Sequence, residues 1–166
     1  MIIDRSKEHT ILFLFYNLPH KIPQPVVIFC LRIYTEGGNT LMEKKHMATI
    51  LLIEDQLETT ALVKAIMKMQ QIDVIAVERA QDGLDLMREN PPDLVLMDLL
   101  LPEIDGFAAT EIIKNDDSLK HIPVIAITAA SIANVHDRLT EVGADAYVAK
   151  PFVIPELLDV VRSFLM

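Results

Sequence analysis

The chain is expected to fold as a doubly wound α/β domain around a five-stranded parallel sheet, preceded by an N-terminal extension. Three observations lead there. From Thr49 onward, short apolar runs alternate with stretches of helical periodicity, the mark of repeated β-α units and a parallel sheet. Two of the runs, 94–97 and 124–127, are wholly apolar, as befits central strands covered on both faces. Four of the runs give way at the same end to Glu54 and Asp55, Asp98, Thr128 and Lys150. In a parallel sheet those five side chains converge on the carboxyl edge, where open α/β sheets bind their ligands.

Each element follows from local signals. The first strand covers 49–53, and the helix after it puts Leu62, Ala65, Ile66 and Met69 on one face at spacings of three and four. The second strand covers 72–77. A short helix near 81–90 stops before Pro91-Pro92, which cannot continue it. The third strand, 94–98, leads into a loop with Pro102 and Gly106, then a helix carrying Phe107, Ile112 and Ile113. The fourth strand covers 123–128. The helix from near Ser131 to Val142 closes on Gly143, a left-handed C-terminal cap. The fifth strand covers 146–149, and the last helix runs from near Pro155 to Leu165, with proline well placed in its first turn.

Composition narrows the function. At 166 residues and 51% apolar, the chain has material for one well-buried domain plus an appendage. A net charge of −9 argues against direct binding of DNA or RNA, whose phosphates demand basic patches. The charge is uneven: residues 1–47 carry six Lys/Arg against four Asp/Glu, and residues 48–166 carry nine against twenty. Cys30 has no cysteine to pair with, which fits a reducing compartment, and it reads as an apolar filler. The apolar stretches 11–18 and 26–34 are too short to span a membrane, which takes ~20 residues, and Pro19, Pro23 and Pro25 separate them. Asp4 and Glu8 argue against a secretory signal, so the globular part is expected in the cytoplasm.

The convergent residues describe a site for a divalent cation and a phosphoryl group. Asp98 is the candidate nucleophile, because a carboxylate is ionised at neutral pH and attacks phosphorus without a general base. Left alone at the end of a buried strand, its charge would be costly, so a compensating cation is expected. Three acids at one edge would repel each other unless Mg²⁺ sits among them. Asp55 and Asp98 are the expected direct ligands, with the backbone carbonyl of Leu100 as a third and Glu54 acting through water. The alternative for Glu54-Asp55 is a helix cap. Lys150 pairs with Asp98 or a phosphoryl oxygen, Thr128 donates a hydroxyl, and Ala129 leaves room for the phosphoryl group. A cis Lys150-Pro151 bond would help to aim the lysine.

The segment 93–106, Asp-Leu-Val-Leu-Met-Asp-Leu-Leu-Leu-Pro-Glu-Ile-Asp-Gly, resembles the phosphorylation strand and loop of bacterial response-regulator receiver domains. The resemblance covers residues 48–166 and includes the acidic pair, Asp98, Thr128-Ala129 and Lys150-Pro151-Phe152 in order. It implies a flavodoxin-like fold and a Mg²⁺-dependent transfer of phosphate from a phosphohistidine to Asp98. The donor would be a sensor histidine kinase or a histidine phosphotransfer protein, and a downstream protein would read the result. Thr128 would then move toward the phosphoryl group and Tyr147 would swing inward. The given sequence stops with the last helix, so no DNA-binding output domain is expected. Tyr147 lies three residues before Lys150 on the fifth strand, so alternation puts it on the opposite face. Leu100 and Ala130, two residues beyond Asp98 and Thr128, cannot orient a water, which predicts slow self-hydrolysis.

Val63 and Met67, four apart and pointing away from the expected core stripe, either receive a partner helix or pack against a neighbouring one. An aspartyl-phosphate enzyme of the haloacid dehalogenase type would need a second Asp where Leu100 stands. A receiver-shaped interaction module acting without phosphorylation is the remaining alternative. No glycine-rich nucleotide loop occurs. Residues 1–47 are not required by any of these readings. Glu36-Gly37-Gly38 can be encoded by a GGAGG-containing stretch three codons before Met42, so Met42, or else Met47, is the expected native start. Coding DNA without such a purine-rich run would remove that expectation.

Overall fold

The computed structural model describes residues 10–15, 28–36, 39–45, 47–129 and 132–165, with side chains for 47–129 and 135–165. The chain divides into two units, Met1–Met47 and Ala48–Met166. In the first, Thr10–Phe15 (β1), Ile28–Glu36 (β2) and Asn39–Lys45 (β3) form an antiparallel sheet in that order. Glu36 pairs with Asn39, so only Gly37 and Gly38 separate the paired ends, and Met42 stands opposite Ile33. That two-glycine spacing is a hairpin signal between extended segments. Residues 39–45 hold only two apolar side chains, Leu41 and Met42, too few to mark a strand by alternation.

The second unit alternates strand and helix throughout: Thr49–Ile53 (β4), Leu57–Met69 (α1), Asp73–Val77 (β5), Ala80–Glu89 (α2) and Leu94–Asp98 (β6). It continues with Gly106–Asn115 (α3), Val124–Thr128 (β7), Ile132–Glu141 (α4), Ala146–Ala149 (β8) and Ile154–Leu165 (α5). The five strands form one parallel sheet in the order β5-β4-β6-β7-β8, the flavodoxin-like arrangement. Chain order reverses direction between β4 and β6, and that switch point is where such sheets open a crevice.

Alternation along the strands sorts the core into layers. Ile50, Leu52, Leu94, Leu96, Ile125, Ile127 and Val148 face α1 and α5. Leu51, Ile53, Val95, Met97 and Val124 face α2 and α3. A smaller third cluster joins Leu99, Phe107 and Ala126 to Val135 and Leu139 of α4. All five residues of β6 and of β7 are buried. Gly143 takes φ +80°, as a left-handed helix stop requires.

On α1 the structure corrects the expected stripe. Val63, Ile66 and Met67 are the buried face, while Leu62 and Met69 are exposed and Ala65 also faces solvent. Val63 and Met67 are both completely inaccessible, so they are core residues and cannot receive a partner. Six of the eight residues from Leu62 to Met69 are apolar, which leaves periodicity unable to choose a face; packing against β4 and β5 chooses it. Met67→Ala is therefore expected to cost about 3 kcal/mol of stability in urea unfolding, as buried methionine truncations do. Leu62→Ala should stay within about 0.5 kcal/mol of the parent. The reverse ranking would restore the other face.

Candidate functional site

The carboxyl edge is built by strand ends. Asp98 is the last residue of β6 and only 2% exposed. Glu54 follows β4 directly; its amide donates to Val77 O at 3.0 Å, which continues the ladder one residue further and buries its side chain to 1% exposure. Asp55, one residue on, turns outward to solvent. Lys150 follows β8, and its amide donates to Thr128 O at 2.7 Å. Asp145, just ahead of β8, sets that strand's start: its Oδ2 accepts from Val124 N at 2.7 Å and from Lys114 Nζ at 2.6 Å.

Lys150 holds the two buried acids together. Its Nζ lies 2.6 Å from Asp98 Oδ2 and 2.7 Å from Glu54 Oε2. The remaining oxygens are also served, Asp98 Oδ1 by Leu100 N at 2.9 Å and Glu54 Oε1 by Gln56 N at 3.2 Å. Every carboxylate oxygen of the buried pair thus accepts a hydrogen bond, which is what makes their burial tolerable. The helix-cap alternative for Glu54-Asp55 fails, since Gln56 occupies the N-cap of α1 without a side-chain capping bond.

Charge at this edge is unbalanced. Glu54, Asp55 and Asp98 each offer an oxygen within 4.8 Å of the others, three anions against one ammonium, a deficit of two positive charges. That deficit and an all-oxygen donor set suit a hard divalent cation. Burial pushes the Glu54 carboxyl above its usual range; the Lys150 hydrogen bond opposes this, and the nearby Asp98 charge adds to it. For Lys150, burial would lower the pKa, but hydrogen bonds to Asp98 and Glu54 outweigh it and raise the value. The ammonium therefore stays charged at neutral pH.

The loop beneath Asp98 depends on a glycine. Gly106 opens α3, its amide donates to Leu99 O at 3.1 Å, and a Cβ there would lie 2.1 Å from Asp98 O and 2.7 Å from Leu99 Cα. Asp105 caps the same helix, accepting from Ala108 N at 2.8 Å. An Asp-Gly pair ahead of a helical stretch is a recognisable N-cap signal, but sequence reasoning gave these two residues no role. Gly106→Ala is expected to cost roughly 3 kcal/mol, because backbone rather than a flexible side chain must yield. A urea midpoint equal to the parent's would show that the loop yields freely.

The other expected residues fall in three places. Thr128 ends β7 fully buried, next to the strand that carries Asp98, and Ala129 beside it is exposed. Tyr147 is half-buried away from the acids, against the Leu99–Phe107–Leu139 cluster, with His136 edge-on at 6.2 Å. The Leu100 side chain is 63% exposed and its amide is engaged by Asp98; Ala130 and Ser131 lie outside the described residues. The Lys150-Pro151 peptide is cis. Beside the lysine, an open cleft of about 400 Å³ is lined by Gln56, Thr59, Leu62, Ala129, Lys150, Pro151 and Phe152.

A flavodoxin-like sheet whose switch point holds buried acids braced by a lysine has the architecture of a receiver domain, a class of signalling switch. The chain belongs to the response regulator receiver domain family, whose sequence profile matches residues 50–162. It is 35% identical over 117 residues to the polar-differentiation response regulator DivK of Brucella anthropi, covering 70% of this chain and 95% of that protein. Among solved structures, it is similar to the receiver domain of a Pseudomonas aeruginosa sensor histidine kinase (TM-score 0.66, 27% identity, 72% of this chain and 98% of the other), which has magnesium coordinated in its active-site cleft. The receiver domain of a signal transduction histidine kinase from Syntrophus aciditrophicus superposes with TM-score 0.67 at 30% identity, over 71% of this chain and 89% of the other. Among the described residues, no helix is long and apolar enough to cross a membrane.

Proposed function

We propose that the chain is a phosphorylation-dependent signalling switch in which Asp98 accepts a phosphoryl group from a phosphohistidine. The observation that carries this is the Lys150 ammonium held between Asp98 and Glu54, with Asp55 beside them at the switch point of the sheet. An Asp98 oxygen attacks phosphorus as the N–P bond of the donor breaks, and the donor imidazole nitrogen keeps the bonding pair. The product is an acyl phosphate. Lys150 remains charged and pairs with the phosphoryl oxygens. Thr128 donates its hydroxyl to another of them, and Tyr147 responds by moving inward. Asp55 and Asp98, with the Leu100 carbonyl and with Glu54 through water, would hold Mg²⁺, which when bound neutralises charge on the transferring group.

The partners are a sensor histidine kinase or a histidine phosphotransfer protein and a downstream protein, met in the cytoplasm. With Val63 and Met67 in the core, the cleft along Thr59, Leu62 and Phe152 is the better seat for a phosphodonor helix, since it opens beside Lys150. Incubation with acetyl phosphate and Mg²⁺ is expected to add one phosphate by intact mass, located at Asp98 and suppressed by a metal chelator. With Leu100 in place of a water-orienting side chain, the label should outlast donor removal by far more than seconds. A wild type that binds Mg²⁺ yet stays unmodified would favour an interaction module that works without phosphate.

A further inference from the structure

Helix α4 meets the core through a small apolar cluster. Its described buried side chains are Val135 and Leu139, seated in the smallest of the three clusters together with Leu99, the residue directly after Asp98. One polar side chain of α4 adds to this hold. Arg138 lies with its guanidinium carbon 3.9 Å from the centre of the Phe107 ring, and its Nη2 is 3.6 Å from Asp105 Oδ2. Both partners belong to the start of α3: Asp105 is its N-cap and Phe107 its second residue. Gly106 stands between them, with its backbone pressed against Asp98 O.

The geometry points to Arg138 as a positioning residue of the switch, which clamps α4 to the first turn of α3 and holds back the acceptance of phosphate by Asp98. This rests on the phosphoacceptor reading above. The clamp is seen together with the unmodified arrangement, in which Asp98 Oδ1 is bound to Leu100 N and Oδ2 to Lys150. A phosphoryl group at Asp98 brings oxygens that need those donors. The main chain at Leu99 and Leu100 then has to adjust, and Leu99 shares its seat with Val135 and Leu139. If modification and the clamp favour different arrangements, the linkage is reciprocal, and releasing one end makes the other easier. A guanidinium can stack flat on Phe107 while its edge pairs with Asp105; an ammonium cannot do both.

The test uses full-length protein with Arg138→Gln and Arg138→Lys. Hydrogen exchange of α4 amides should accelerate about three- to tenfold in the unmodified Arg138→Gln protein, with α1 and α5 unchanged. Modification by acetyl phosphate with Mg²⁺ should quicken by a similar factor, and Arg138→Lys should recover less than half of each difference. Unchanged α4 exchange overturns the clamp. Faster exchange with an unchanged modification rate overturns its coupling to Asp98, a result that a merely structural arginine would give. If wild type itself takes no phosphate, the phosphoacceptor reading falls and the coupling falls with it, while the exchange result separately decides the clamp.

Discussion

Lys150→Met is expected to be the most damaging single change at the carboxyl edge. The lysine is shared by two acids that are 1% and 2% exposed, so its removal leaves two buried carboxylates facing each other with no cation. Stripping one partner from a buried ion pair costs roughly 3–5 kcal/mol, and the opening of this edge to water places the expected loss near the lower end. Methionine keeps the aliphatic volume, which separates the charge effect from packing. The loss depends on pH with a definite sign. Glu54 already has a raised pKa in the folded protein, and losing the ammonium raises it further. A carboxyl raised on folding is penalised at pH above its folded value, and the penalty fades as it takes up a proton. The deficit in urea unfolding, measured in chelator, should therefore be largest at neutral pH and shrink as pH falls. Mg²⁺ should restore part of it, since a cation that binds only the folded state stabilises by mass action. A variant as stable as its parent in chelator at neutral pH would mean that water, not Lys150, balances the acids.

Asp98→Asn should have the opposite profile. It removes the proposed nucleophile, so the one-phosphate product is expected to vanish completely by intact mass. Yet it also removes one of two negative charges competing for one ammonium, leaving a balanced Glu54–Lys150 pair at 2.7 Å. In chelator this variant should match or exceed the parent in urea midpoint. Added Mg²⁺ should reverse the order, because the parent gains a ligand that the variant lacks. Retention of a phosphate on the variant would move the acceptor to another residue. A large stability loss in chelator would mean that Asp98 is held mainly by its bonds to Leu100 N and Lys150 rather than endured.

The two profiles separate what was legible in the sequence from what was not. Buried parallel strands are written as unbroken apolar runs, so β6 and β7 and the residues that terminate them could be read directly. The bond between Lys150 and Glu54 could not. It requires knowing that β4 lies beside β6, and that Glu54 extends the strand while Asp55 leaves it. The buried face of α1 is not legible because apolar residues nearly encircle that helix, so only its neighbours decide which side is covered. Arg138 carried no local signal at all, since its ring and carboxylate partners lie on a different helix.

The shared lysine also has a consequence for biosynthesis. Glu54 and Lys150 are 96 residues apart, and Lys150 directly follows the last strand of the sheet. A nascent chain on the ribosome exposes its acids long before their counter-charge emerges, and closing a contact of such separation carries a loop-entropy cost. A chain that stops short of Lys150 leaves its two buried acids without their shared ammonium. A product cut before Lys150 is therefore expected to lack this contact, and with it the proposed phosphate chemistry.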